Sequence, residues 1–76
     1  MARAKYYIKR QMEGKEIDEV ANFTRKDKAE RFLNKLFKGL NKAQGHYPYW
    51  VRQGYFKSEF VGLCVNFKSE YWIEKY

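Results

Sequence analysis

At 76 residues the chain is long enough for one small domain, and a domain of that size buries only about 60% of the surface its unfolded form exposes, so the core is thin. A single cysteine rules out an intramolecular disulfide, and one cysteine with one histidine cannot supply the four ligands of a structural zinc; packing of the 20% aromatic residues must stabilise the fold instead. The net charge of +7, from 16 Lys and Arg against 9 Asp and Glu, points to an acidic partner.

Residues 4–12 read as a strand, with Tyr6, Ile8 and Met12 on one side and Tyr7, Lys9 and Gln11 on the other. Gly14, in Glu13-Gly14-Lys15, supplies the positive φ of a short hairpin loop. The second strand covers Ile17–Phe23, with Ile17, Ala21 and Phe23 in phase and Val20 out of phase. Thr24-Arg25-Lys26-Asp27 has the form of a capping box with Asp in place of Glu, which predicts a helix beginning at Thr24. The apolar stripe Ala29, Phe32, Leu33, Leu36, Phe37 and Leu40 carries that helix past Gly39 to a stop at Gly45.

Gly45-His46-Tyr47-Pro48 reads as a loop. Beyond it, Phe56-Lys57-Ser58-Glu59-Phe60 recurs eleven residues later as Phe67-Lys68-Ser69-Glu70-Tyr71. Each Lys-Ser-Glu is a polar run between aromatic and aliphatic stretches. The pair therefore predicts two hairpin turns joining strands at about 49–56, 60–67 and 71–75, with Val61, Leu63, Val65 and Phe67 facing the core. The expected fold is a small single α+β domain over residues 1–76, ordered β-β-α-β-β-β: an antiparallel sheet with one amphipathic helix packed on one face.

Lys28, Arg31, Lys35, Lys38 and Lys42 are spaced 3, 4, 3 and 4 residues apart, so a helix projects all five from one stripe. Residues 25–44 hold seven basic and two acidic side chains, a local +5. Lysine-rich helix faces also serve simple solubility, but such faces mix signs, with an acid four residues before a base; here only Asp27–Arg31 is an ion pair of that order, Glu30 being followed at that spacing by Asn34. The stripe is thus a candidate phosphate-contacting surface, with Asn34, Asn41 and Gln44 beside it as candidate base contacts. One helix covers only one face of a five-stranded sheet. Tyr7, Tyr49, Trp50, Tyr55 and Trp72 are candidates for an aromatic surface on the other, where single-stranded bases could stack with Arg52, Lys57, Lys9 and Arg10 holding phosphates. The alternatives are a homodimer that buries that face and a simple tyrosine-rich sheet surface.

Asn22-Phe23-Thr24-Arg25-Lys26-Asp27-Lys28-Ala29-Glu30-Arg31-Phe32-Leu33, following a strand hairpin, resembles the strand-to-helix junction of the arm-type DNA-binding domains of phage integrases. The resemblance spans a dozen residues. In that family the strands precede the helix, whereas three strands follow it here, and no function is carried over.

The sequence contains no Gly-rich phosphate loop, paired histidine ligands or nucleophile elbow. Cys64 reads as a small buried thiol, His46 as a solvated loop histidine, and Glu13, Glu16, Asp18 and Glu19 as a solvated turn. The expectation is a non-enzymatic protein without cofactor or metal. The polar start of the chain does not resemble a signal peptide, and the longest apolar run, residues 60–65, is far below the roughly 20 residues that span a bilayer; a cytoplasmic protein without membrane contact is expected. Two partners fit the charge: a nucleic acid, DNA or RNA, or an acidic protein surface engaged by a small inhibitor or adaptor.

Overall fold

Alternating side chains at the start of the chain and one amphipathic stretch after it produce the first three elements. The computed structural model describes residues 5–76; Ala4, expected to open the first strand, lies outside them. The elements are β1 (Tyr6–Met12), β2 (Ile17–Phe23), α1 (Lys26–Lys42), β3 (His46–Arg52), β4 (Tyr55–Val61) and β5 (Asn66–Lys75). All strand pairs are antiparallel, in the order β2-β1-β5-β4-β3, so the two β units join through β1 and β5 into one sheet. This is the α+β architecture expected, with α1 across one face.

In β1 the alternation holds. Ile8 is fully buried and Tyr6 packs on the core, while Tyr7 and Lys9 turn to the open face, with Lys9 Nζ 5.3 Å above the Tyr7 ring. Gly14, at φ 75°, sits in the turn closed by the Lys15 amide donating to Met12 O at 2.9 Å. The phase break in β2 is a bulge: Ile8 faces Ala21 but Lys9 faces Glu19, leaving Val20 as the extra residue. Val20 and Ala21 both pack inward. The bulge carries Ile17 to the opposite face, opposite Gln11, where it is half exposed.

Arg25, not Thr24, caps α1. It is extended, and no side chain caps the helix, so the expected capping box does not form. The physical reason is local: the Arg25 guanidinium holds the Asp27 carboxylate through two hydrogen bonds of 3.1 and 3.2 Å. Asp27 still lies in the first turn, near the positive end of the helix dipole. The helix passes Gly39 and ends at Lys42, and Gly45, at φ 86°, redirects the chain into β3.

The Lys-Ser-Glu triads are not turns. Each lies within a strand, and the two pair with each other across β4 and β5: Phe56 opposite Tyr71, Lys57 opposite Glu70, Ser58 opposite Ser69, Glu59 opposite Lys68 and Phe60 opposite Phe67. Alternation puts the aromatic and serine side chains on the covered face and the charged ones on the open face. Ser58 and Ser69 are buried between two stacked ring pairs, Phe56–Tyr71 and Phe60–Phe67, with centroids 4.8 and 5.0 Å apart. The turns fall instead at Gln53-Gly54, with Gly54 at φ 80°, and at residues 62–65, closed by the Gly62 amide donating to Val65 O at 2.8 Å.

That second turn overturns two expectations. Val61, Leu63 and Val65 are exposed, Leu63 completely, and Cys64 is an exposed thiol; only Phe67 packs inward. Likewise His46-Tyr47-Pro48 opens β3 and is not a loop. His46 pairs with Phe60, and Pro48 is tolerated because β3 is an edge strand.

The core is small: Ile8, Ala29, Leu33 and Phe56 are buried, ringed by half-buried apolar residues of α1, β1, β2 and β5. Phe56 is its aromatic centre, edge-on to Phe37 at 5.3 Å and Trp50 at 5.2 Å and stacked on Tyr71. Among the described residues, no helix is long and apolar enough to cross a membrane.

Candidate nucleic-acid interface

The covered face of the sheet dictates which way α1 rolls. Ala29 and Leu33 bury against the strands, with Phe32, Leu36, Phe37 and Leu40 beside them. That leaves Lys28, Arg31, Lys35, Lys38 and Lys42 on the opposite side, and all five are exposed. At 1.5 Å per residue the stripe runs about 21 Å along the axis, the rise of about six phosphates on one strand of B-form DNA.

The two acids of the helix do not neutralise it. Asp27 is paired with Arg25 at 3.1 Å and Glu30 with Lys26 at 3.9 Å, both cations lying outside the stripe. The Asp27–Arg31 pair suggested by the i, i+4 spacing does not form. Among the described residues, none of the five stripe cations is in a salt bridge.

The open face has a different character. Strand register places Lys9, Arg52, Lys57 and Lys68 there with Glu19, Glu59, Glu70 and Glu74, equal in number. Lys9 stands opposite Glu19, Lys68 opposite Glu59, and Lys57 Nζ is 3.3 Å from Glu70. The hydrogen bond to Glu70 raises the Lys57 pKa above its ordinary value; desolvation, then Glu70, raises that of Tyr55. Glu74 accepts hydrogen bonds from Tyr76 and, at 3.0 Å, from Trp72 Nε1, and these hold its pKa below the ordinary carboxylate value.

Four of the five aromatic candidates share this face: Tyr7, Tyr49, Tyr55 and Trp72. Trp50 does not; it lies on the covered side, stacked on Phe37 at 4.9 Å. The rings of the open face are largely engaged with one another and with their own cations. Tyr55 meets Trp72 edge-on at 6.4 Å, Tyr7 meets Tyr76 at 5.1 Å, and Arg52 lies 5.2 Å above Tyr55, as Lys9 does over Tyr7. Cations thus occupy positions where bases would stack. Tyr47 and Tyr49, on edge strand β3, are the open-face rings left most exposed apart from Tyr76.

Of the remaining candidates, Arg10 pairs with Asp18 at 3.3 Å on the covered side. Asn34, Asn41 and Gln44 are exposed. His46 is half-buried against Phe60, and Glu13 accepts the Lys68 amide at 3.2 Å, so that carboxylate belongs to the sheet's hydrogen bonding. Among the described residues, no group of three His, Cys, Asp or Glu side chains is placed to hold a metal ion.

No protein-family model, curated protein or solved structure matches the chain.

Proposed function

We propose that this is a small nucleic-acid-binding protein that holds phosphates with the exposed side of α1. The observation that carries the reading is the asymmetry of charge: five cations on the helix without a carboxylate partner among the described residues, against a sheet face whose strands carry acids and bases in equal number. Lysine is a point charge on a flexible stem, so the stripe attracts phosphate without reading base sequence. The open face contributes less than its aromatic content suggests, because its own cations and edge-on ring contacts occupy it.

A second reading, an adaptor or inhibitor docking on an acidic protein, draws support from the apolar turn around Leu63, an exposed cluster suited to protein contact. Purification without nuclease separates the two. The nucleic-acid reading expects an elevated 260/280 nm absorbance ratio that falls after a high-salt wash or nuclease. One stoichiometric protein retained after nuclease, with no nucleic acid before it, would replace it with the adaptor reading.

A further inference from the structure

The flank of α1 and the β3–β4 turn, joined for the second by Tyr6 of β1 and Trp72, Ile73 and Lys75 of β5, line two adjoining open recesses of about 250 and 370 Å³, which share Glu30, Gln53 and Gly54. Three kinds of chemistry meet there. Trp50 forms one wall: its indole stacks on Phe37, yet 40% of the residue remains exposed. The carboxamides of Asn34 and Gln53, each both donor and acceptor, line the same cavity. Lys26, Arg52 and Lys75 line the other, against one carboxylate, Glu30, already paired with Lys26.

Among the described residues Arg52 and Lys75 are in no salt bridge, Arg52 lying over the open-face Tyr55 ring at the sheet's end. An aromatic wall, a donor–acceptor edge and such cations are the complements of a base face, a base edge and a phosphate. Asn34 also stands three residues after Arg31 and four before Lys38, the spacing of side-chain neighbours on a helix, so this side of the groove borders the stripe. A base within a duplex cannot enter a recess of this kind; one that is unpaired or turned out of the stack can.

We propose that the groove takes one unpaired nucleotide of the nucleic acid held by the stripe, with its base against Trp50 beside Asn34 and Gln53 and its phosphate at Arg52 and Lys75. This rests on the reading of α1 as a nucleic-acid-binding helix. It makes the protein a reader of irregular or single-stranded sites, a selectivity the lysines alone cannot supply.

Fluorescence anisotropy with two labelled 20-base-pair duplexes, one fully paired and one carrying a single unpaired deoxyadenosine, tests it. The bulged duplex should bind about tenfold more tightly, the scale of one stacked base. Trp50→Ala should abolish that preference while leaving the paired duplex unaffected. Because Trp50 also packs on the core, Asn34→Ala with Gln53→Ala, both exposed positions, provides the second variant and should reduce the preference without loss of fold by circular dichroism. Equal affinity of the parent protein for both duplexes would overturn the groove while leaving the stripe intact. So would a preference that survives both variants. Binding to neither duplex would overturn the reading of the helix itself.

Discussion

Reversing two charges in the middle of the stripe, Lys35→Glu with Lys38→Glu, measures how much of the binding that face carries. Both side chains are exposed and neither is in a salt bridge among the described residues, so the substitution should leave the fold intact. If all five cations neutralise phosphates on duplex DNA, log K falls with log salt at a slope of about −4.5, an affinity loss of about 500-fold between 50 and 200 mM. Three cations remain in the variant, giving a slope of about −2.7 and a loss of about 40-fold over the same range. Anisotropy titrations of a labelled duplex across that range read the slope directly. The control is Lys9→Glu with Lys68→Glu on the open face, where each lysine stands opposite a glutamate. An unchanged slope in the helix variant, or an equal drop in the control, would refute the assignment of phosphate contact to α1.

The fold offers three further tests. Phe56→Ala empties the centre of the aromatic cluster and should cost about 3–5 kcal/mol, a large fraction of the stability of a domain this small, read as a collapse of the thermal midpoint. Glycines should separate by sign. At Gly39 a Cβ meets nothing within 4 Å, so Gly39→Ala should stabilise by about 0.8–1 kcal/mol; at Gly45, φ 86°, a Cβ would come 3.1 Å from Val61 O, so Gly45→Ala should lower the unfolding midpoint. Glu74 has a folded-state pKa below its ordinary value of 4.5, so its contribution is full above that value and is lost as pH falls through the lowered one. Tyr76→Phe, which removes the largest cause of the shift, should therefore flatten the fall in stability as the pH drops below 4.5, followed by chemical denaturation.

The elements legible in the sequence were those whose periodicity was intact. Ile8 and its neighbours alternate cleanly, and α1 keeps apolar and basic stripes over four turns, so strand, helix and the exposed position of the five cations all followed. Failures occurred where polarity and position part company. Ser58 and Ser69 are polar yet buried, so the period-2 pattern Phe-Lys-Ser-Glu-Phe resembled a polar break. Gly62-Leu63-Cys64-Val65 is apolar yet a turn, so it resembled the middle of a strand. The bulge at Val20 shifted the phase of Ile17, an effect that only cross-strand register exposes. The groove could not be found this way, because its residues come from separate elements. No spacing rule connects Asn34, Trp50 and Arg52.

The paired pentapeptides have a consequence for how the chain finds its register. Slipping β4 against β5 by two residues, the smallest shift that preserves the faces, would set Lys57 opposite Lys68 in one direction and Glu59 opposite Glu70 in the other. Like charges thus guard the correct alignment from both sides. The same symmetry makes each pentapeptide its own complement: read antiparallel against a copy of itself, Phe56-Lys57-Ser58-Glu59-Phe60 again places lysine opposite glutamate and serine opposite serine. A chain with this hairpin open therefore presents two segments that fit a neighbour's copy by the rule that joins them at home. Crowded refolding should accordingly favour strand-exchanged dimers in which the correct pairing has formed between the wrong molecules.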